Sequence, residues 1–132
     1  MKQETETRQI HTIAPVYDGT SRILILGSFP SVKSRETGFF YGHPRNRFWK
    51  VLAGITGSAV PESVEEKRLF LLEHGIAVWD VIAACTIHGS SDASIRDVVP
   101  NDLTPILETA DIRGIFTNGS TSHRLYQKYQ EP

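Results

Sequence analysis

The chain contains one cysteine, Cys85, among its 132 residues. A single thiol excludes an intramolecular disulfide framework and a cysteine-based zinc or iron–sulfur site within this chain, and it suits a reducing compartment such as the cytoplasm. No apolar run approaches the length of a membrane-spanning helix, and the polar residues 1–9 are not typical of a secretory signal. Internal repeats and low-complexity segments are also missing. These absences favour a cytoplasmic globular domain.

A clear excess of positive charge, which many nucleic-acid-binding domains carry, is missing as well. The formal net charge is −1, from 14 Lys and Arg residues against 15 Asp and Glu residues. The charges are unevenly distributed, since five basic residues and one acidic residue lie between residues 33 and 50. A locally basic face is compatible with a neutral protein, and so is a solvated surface of mixed charge. Charge alone therefore leaves both interpretations open.

Three short apolar runs are each followed by a polar loop. Continuous runs of this kind are typical of strands buried on both faces of a parallel sheet, because the alternation of apolar and polar residues disappears when both faces are covered. The runs occupy residues 23–26, 76–81 and 112–117. A short edge strand is also expected near the N-terminus, at residues 10–13.

Apolar residues at helical spacing predict four helices between and after these strands. The helices span residues 44–55, 63–74, 103–110 and 121–129. Ser63 followed by Glu66 is a capping-box pattern at the start of the second helix. We therefore predict a single α/β domain over residues 1–132, with a polar extension over residues 1–20. Its parallel sheet has the first strand at the centre and helices on both faces.

The loops that follow the strands are where a ligand site is expected, because open parallel sheets bind ligands beyond the carboxyl ends of their strands. These loops cover residues 28–43, 81–97 and 118–120. The first is the richest in chemistry, with a glycine-initiated turn, an aromatic triplet at residues 39–41, and His, Arg and Asn before the next helix. Aromatic rings beside amide and cationic donors suit a planar heterocycle and a phosphate. Phe48 and Trp49, on the helix itself, are expected in the core.

The same segment resembles a known family. Gly27-Ser-Phe-Pro-Ser31 together with Gly42-His-Pro-Arg-Asn-Arg-Phe-Trp49 is similar to the first motif region of the uracil-DNA glycosylase superfamily. Residues 37–51 are close to the mismatch-specific uracil/thymine branch. With the segments 75–84, 89–95 and 116–119 included, the whole pattern is most similar to the hypoxanthine-DNA glycosylase branch. The resemblance extends over about residues 21–129, and its specificity lies in the joint spacing of the pieces.

This resemblance implies a three-layer α/β/α fold and a monofunctional DNA glycosylase that needs no metal or cofactor. Such an enzyme flips a nucleotide out of DNA and hydrolyses the N-glycosidic bond of a deaminated base, hypoxanthine or uracil. The alternative is a protein of the same fold that holds DNA or a nucleobase without turnover. An unrelated nucleotide-binding domain is disfavoured, because no glycine-rich phosphate fingerprint follows the first strand.

The resemblance also implies roles for particular residues. Asn46 matches the essential amide of the hypoxanthine branch and is the candidate catalytic residue, whereas Phe29 stands where other branches have a water-positioning Asp or Asn. The candidate base-binding residues are Phe29, Tyr41, Asp80 and Asn118. The candidate DNA-binding residues are Ser28, Ser31, His43 and Arg45.

Four of these residues keep a structural alternative. His43 either donates to a phosphate or a base or is a structural histidine. Tyr41 either stacks on the flipped base or is an ordinary surface or core tyrosine. Asp80 either accepts a hydrogen bond from a base N–H or caps the loop that follows it. Asn118 either faces the cleft or forms an Asn-Gly turn.

The resemblance ends before a further feature of the superfamily. The second motif of these proteins follows a fourth strand, and nothing after Tyr129 matches it. The expectation is therefore a C-terminally truncated domain whose sheet has one open edge.

Overall fold

The computed structural model describes residues 7–42 and 46–130. Its elements, in chain order, are β1 (Thr7–Ile10), β2 (Ile23–Gly27), α1 (Val32–Thr37), α2 (Phe48–Thr56), α3 (Val64–Glu73), β3 (Ile76–Asp80), β4 (Ile82–Ile87), β5 (Arg96–Pro100), α4 (Thr104–Thr109), β6 (Gly114–Thr117) and α5 (Ser120–Tyr129). Within these two ranges, none of the helices combines the length and the apolar character that crossing a bilayer requires.

A parallel sheet of order β3-β2-β6 forms the centre of the molecule, and β2 is its middle strand. Successive residues of β2 point to opposite faces. Ile25 packs into an apolar cluster with side chains of α2 and α3, whereas Leu24 and Leu26 pack with side chains of α4 and α5. Helices therefore cover both faces of the sheet, and the predicted three-layer α/β/α arrangement with a central first strand is confirmed.

A second sheet of order β1-β4-β5, with antiparallel pairing, adjoins the first. It was not expected from the sequence. β4 follows β3 with only Val81 between them, so one nearly continuous stretch of chain belongs to both sheets. At the junction the Val81 N–H donates to the Gly27 carbonyl at 2.8 Å, and the Ile82 N–H donates to the Ser28 carbonyl at 3.1 Å. Pairing with the β2 segment thus continues through the change of sheet.

The buried side chain of Asn101 holds this junction from the other side. Its Nδ2 donates to the backbone carbonyls of Asp80 at 2.9 Å and of Ile82 at 3.1 Å. These two carbonyls flank Val81, where the pairing of the chain changes. Because a buried carbonyl without a partner is costly, the amide of Asn101 stabilises the bend that ends β3.

The N-terminal segment runs antiparallel along the same stretch of chain. After β1, the His11 N–H donates to the Ala83 carbonyl at 2.8 Å, and Val16 forms a bridge with Val78. The strand expected at residues 10–13 is therefore displaced to Thr7–Ile10. This segment covers the side of β3 that faces away from β2 and brings His11 close to the end of β3.

Three further boundaries differ from the sequence-based expectation. The loop over residues 28–43 contains α1, the loop expected from residue 81 contains β4 and β5, and the helix expected from residue 44 begins at Phe48. The missed elements are short, and the pairing of β4 with β5 has an irregular register. Strand formation in such segments depends on tertiary pairing more than on intrinsic propensity.

The edge of the parallel sheet opposite β3 is formed by β6. Among the described residues β6 pairs with β2 and with no second strand. Phe116 on this strand is 57% exposed, and Val51 and Ile55 of α2 are exposed as well. An apolar surface therefore accompanies this edge.

The capping box at α3 is formed as predicted, and it generates a stability prediction. The Ser63 Oγ accepts from the Glu66 N–H at 3.0 Å, and the Glu66 Oε1 accepts from the Ser63 N–H at 3.0 Å. We expect Ser63→Ala to lower the free energy of unfolding by about 1 kcal/mol, measured by urea titration. Ser63→Asp should retain most of the stability, because an Asp carboxylate also accepts from the third helical N–H. Equal losses in both variants would contradict a capping role.

Candidate active site

A cavity of about 240 Å³ opens beyond the carboxyl ends of β2 and β3. It is smaller than the roughly 300–1,000 Å³ of pockets that hold drug-sized ligands, which suits a single base. The cavity is lined by Gly27, Ser28, Phe29, Pro30, Ser31, Ser34, Phe40, Tyr41, Asn46, Asp80, Ser90, Asp92 and Asn118. The structure therefore brings together all the candidate site residues that it describes.

Asp80 is the last residue of β3, and its side chain is almost entirely buried. The carboxylate Oδ2 lies 2.8 Å from the Nε2 of His11, and the two side chains are 5% and 2% exposed. Burial of an unpaired carboxylate would cost several kcal/mol, so the histidine is the partner that makes this position tolerable. The Asp80 carboxylate therefore bonds to His11, and Asp80 lines the cavity.

Gly27 ends β2 directly beside this carboxylate. A Cβ at residue 27 would lie 2.5 Å from the Asp80 Oδ1 and 3.0 Å from the Tyr41 hydroxyl. Only glycine leaves room for both oxygen atoms at this point. The Asp80 carboxylate and the Tyr41 phenol thus converge on one spot in the wall of the cavity.

Tyr41 reaches that spot from an unusual backbone conformation, with φ at 53°. Left-handed geometry is disfavoured for a tyrosine and is maintained only when its surroundings hold it. The Phe48 ring stacks on the Tyr41 ring at a centroid distance of 3.9 Å, and the Trp49 Nε1 donates to the Tyr41 carbonyl at 3.3 Å. Since Phe48 covers one face of the Tyr41 ring, that face is closed to stacking on a base.

The Tyr41 hydroxyl is buried and makes no hydrogen bond with the described residues. Burial raises the pKa of Tyr41 far above its usual range, the Asp80 charge raises it further, and the nearby Asn118 amide offsets part of the shift. The Asn118 amide is thus close enough to act on the phenol, although the two groups do not meet in hydrogen-bond geometry. Tyr41 is consequently a buried, protonated phenol whose O–H has no acceptor among the described residues.

Asn46 lies just before α2 and is exposed. Its Oδ1 accepts from the Phe48 N–H at 2.8 Å, which satisfies one of the free donors at the start of the helix. A carboxamide oxygen has a second lone pair, and the NH₂ group adds two donors. Asn46, one residue before the N-cap Arg47, therefore forms a side-chain turn onto the Phe48 N–H and still lines the cavity.

Asn118 follows β6 and is exposed at the opposite wall. Its backbone N–H donates to the Leu26 carbonyl at 2.8 Å, which continues the pairing of β6 with β2. The next residue, Gly119, has a φ of 103° that favours glycine. Asn118 therefore precedes a glycine turn and also lines the cavity.

Phe29 forms an apolar part of the wall and is 8% exposed. Its ring contacts the edge of the His11 ring at a centroid distance of 5.8 Å, and the Arg35 guanidinium lies 5.5 Å from the ring centre. As expected of a phenylalanine, it offers no polar atom to hold a water molecule. Phe29 can only shape the cavity and support His11.

The two serines expected to contact DNA already have hydrogen-bond partners in the protein. The Ser28 Oγ donates to the Asp92 Oδ1 at 3.3 Å, and the Ser31 Oγ accepts from the Ser34 N–H at 3.1 Å, which caps α1. Their hydroxyls are therefore structural in this conformation, although both residues line the cavity. His43 and Arg45 lie outside the described residues.

A second cavity of about 370 Å³ adjoins the first. Asn46 and Asn118 line both cavities, and the second is otherwise bounded by α2 and β6 side chains, including Val51 and Phe116. The two amides thus stand at the passage between a polar cavity and a more apolar surface.

His11 is the residue at this site that the sequence analysis missed. It lies in the N-terminal segment, about 70 residues before Asp80 along the chain, and no local pattern marks it. Ser90 and Asp92 of the loop after β4 also line the cavity and were not singled out. No cluster of three or more His, Cys, Asp or Glu side chains suited to a metal ion occurs in residues 7–42 and 46–130.

Comparisons of the sequence and the fold with known proteins identify relatives of this chain. The profile of the uracil DNA glycosylase superfamily matches residues 14–131. A hypoxanthine DNA glycosylase from Methanosarcina acetivorans is 38% identical over 106 residues, which cover 79% of this chain and 67% of the relative. A hypoxanthine DNA glycosylase from Methanosarcina barkeri is 34% identical over 110 residues, covering 82% and 70% respectively.

Solved structures show the same relationship. The solution NMR structure of a candidate uracil DNA glycosylase from M. acetivorans superposes with a TM-score of 0.80 at 31% identity, and the match covers 92% of this chain and 76% of that one. The superfamily profile spans most of the sequence, and the described fold agrees with it. The chain belongs to the uracil DNA glycosylase superfamily.

Proposed function

We propose that this protein is a DNA glycosylase that hydrolyses the N-glycosidic bond of a deaminated base, hypoxanthine or uracil. The family supports this function, and so do the relatives named hypoxanthine DNA glycosylase at 34% and 38% identity. The observation that carries the proposal is the convergence of Asn46, Asp80, Tyr41 and Asn118 on one cavity at the carboxyl ends of the parallel strands.

The reaction replaces the base by water at the anomeric carbon of the sugar. A water oxygen forms the new bond to C1′, the bond from C1′ to the base nitrogen breaks, and the base leaves with that electron pair. The transition state resembles an oxocarbenium ion, so the water must be held in place while charge develops. Asn46 holds this water through the free lone pair of its Oδ1. Because an amide is a poor base, the water proton passes to solvent after the attack.

The departing base is read by the groups deeper in the cavity. The Asp80 carboxylate accepts from a ring N–H of the base, while the Tyr41 hydroxyl and the Asn118 amide donate to its oxygen or nitrogen atoms. Donors aimed at developing negative charge are an effective source of rate acceleration. Phe29 forms the apolar wall against the base.

Binding to DNA requires contacts outside this cavity. We assign phosphate contacts to Ser28, Ser31, His43 and Arg45, because hydroxyl, backbone N–H and cationic groups are the types that contact phosphates. The proposed chemistry is complete without a metal ion or cofactor. A cytoplasmic location fits the one buried free thiol, Cys85.

The function is tested with labelled oligonucleotides that carry one hypoxanthine, one uracil or one G·T mismatch, followed by alkaline cleavage of abasic sites. We expect strand breaks at hypoxanthine or uracil. Binding to the damaged oligonucleotide without any strand breaks would instead support the alternative, a non-catalytic DNA-binding protein of this fold.

Asn46→Ala is expected to lower single-turnover excision by about a hundredfold or more, since the lost contact acts in the transition state. DNA affinity should change little, because it comes mainly from phosphate contacts. The lost bond to the Phe48 N–H should lower the free energy of unfolding by about 1 kcal/mol. The three quantities are measured by quench-flow kinetics, filter binding and urea titration.

Asn46→Ser is the matched control, because serine retains a capping oxygen but not the carboxamide. It should restore stability without restoring excision. If Asn46→Ala keeps nearly full excision, Asn46 is not the catalytic amide.

Gly27→Ala is expected to weaken capture of the damaged base. The added methyl would lie 2.5 Å from the Asp80 Oδ1 and 3.0 Å from the Tyr41 hydroxyl, so both groups must move. Gly54→Ala is the control, because no atom lies within 4 Å of a Cβ there and α2 should gain about 0.5–1 kcal/mol. We expect excision to fall in the first variant only. Unchanged excision in Gly27→Ala would show that the Asp80 and Tyr41 oxygen atoms beside Gly27 take no part in base recognition.

A further inference from the structure

We propose that His11 is a positioning residue for base recognition. It holds the Asp80 carboxylate as a hydrogen-bond acceptor beside the Tyr41 hydroxyl, and the site thereby selects bases with a carbonyl next to a ring N–H. The inference rests on the proposed function of this cavity. It concerns which bases are captured, and it assigns His11 no contact with the reacting atoms.

The hydrogen bonds of His11 define its tautomer. The Ile13 N–H donates to the Nδ1 of His11 at 3.3 Å, so Nδ1 is an acceptor without a proton. The proton therefore lies on Nε2, which donates to the Asp80 Oδ2 at 2.8 Å. In this pair the imidazole is the donor and the Asp80 carboxylate is the acceptor.

Apolar rings surround this pair. Phe29, Phe40 and Trp79 lie 5.8, 6.2 and 6.1 Å from the His11 ring, measured between centroids. In such surroundings a carboxylate without its donor is strongly disfavoured. Without His11, the Asp80 carboxylate would lose the donor that holds it in this orientation, and the acceptor would no longer be fixed beside Tyr41.

The second oxygen of Asp80 determines what the cavity can read. Oδ1 and the Tyr41 hydroxyl both lie close to Gly27, and the hydroxyl has no hydrogen-bond partner among the described residues. An acceptor and a donor therefore stand side by side. This pair is complementary to a C=O group beside a ring N–H, the edge that hypoxanthine and uracil present.

The parent bases present the opposite pattern. Adenine and cytosine have an amino donor beside a ring nitrogen that is an acceptor, so their acceptor would face the carboxylate. Guanine and thymine share the C=O and N–H edge, so this pair does not exclude them. The proposed selection is therefore between a deaminated base and the adenine or cytosine from which it arose.

The test compares capture of hypoxanthine, 1-methylhypoxanthine and adenine, each placed at one position of the same oligonucleotide. 1-Methylhypoxanthine keeps the carbonyl and lacks the N–H. Affinity is measured for each by fluorescence anisotropy relative to an undamaged duplex, and excision is measured on the same substrates. The wild type should favour hypoxanthine over both other bases by about tenfold to a hundredfold.

His11→Phe keeps an aromatic ring among its neighbours and removes the donor. We expect the preference for hypoxanthine over adenine to fall to near unity, and His11→Gln to restore part of it through its amide N–H. In Asp80→Asn, His11 should hold the amide oxygen and turn the NH₂ group toward the cavity, which shifts the preference toward adenine. His74→Phe is the control, because His74 is bonded to the Phe70 carbonyl at the end of α3.

The double variant His11→Phe with Asp80→Asn separates positioning from structural support. If His11 acts through the carboxylate, adding His11→Phe to Asp80→Asn should change the base preference little beyond the effect of Asp80→Asn alone. An unchanged preference in His11→Phe, or a loss of stability alone, would overturn the proposal. If His11→Phe does not fold, His11→Gln and Asp80→Asn still decide it, since both must alter the preference.

The inference and the proposed glycosylase function are tested by different measurements, so one can fail without the other. A base preference that follows His11 and Asp80 without any strand breaks would support the inference and refute the glycosylase function. Excision of hypoxanthine with no preference over 1-methylhypoxanthine or adenine would refute the inference and leave the glycosylase function standing. The absence of any base preference in binding and in excision overturns the inference.

Discussion

The structure depends on a single stretch of chain, residues 76–87, that pairs with different partners on its two sides. Its first half is a strand of the parallel sheet, and its second half is the middle strand of the antiparallel sheet. The N-terminal segment runs along one side, and the end of β2 continues along the other. Asn101 satisfies the two carbonyls at the change of sheet. All of these contacts meet at Asp80, which is why the end of β3 can hold a buried carboxylate in a defined orientation.

The polar groups of the cavity are arranged around the end of β3, where this stretch of chain changes its pairing partners. Gly27 leaves space for two oxygen atoms that would otherwise collide with a side chain, and the rings of Phe48 and Trp49 hold Tyr41 in a conformation that tyrosine seldom adopts. Such strain is maintained only where the surrounding packing outweighs it. The packing around Tyr41 thus leaves its buried hydroxyl without a hydrogen-bond partner among residues 7–42 and 46–130.

The general fold could be predicted from the sequence because its signals are local. The apolar runs of β2 and β3 are continuous, as doubly buried strands require, and the capping box of Ser63 and Glu66 is complete in the sequence. The antiparallel sheet could not be predicted in this way. Its strands include small or charged residues such as Ala83, Ala84 and Asp97. β1 is distant from its partner β4 along the chain, and the pairing of β4 with β5 has an irregular register. Local propensity carries little information about such contacts.

The sequence by itself determined the family, the α/β class and the segments from which the cavity is built, because spacing and residue type suffice for these. Only the tertiary structure decided the neighbours of each side chain. It placed Phe48 on one face of Tyr41, engaged the Asn46 amide with the start of α2, and brought His11 from the N-terminal segment to Asp80. The physical reason is that hydrogen-bond partners and ring contacts are set by distances in space, and two residues about 70 positions apart carry no joint signal in one sequence.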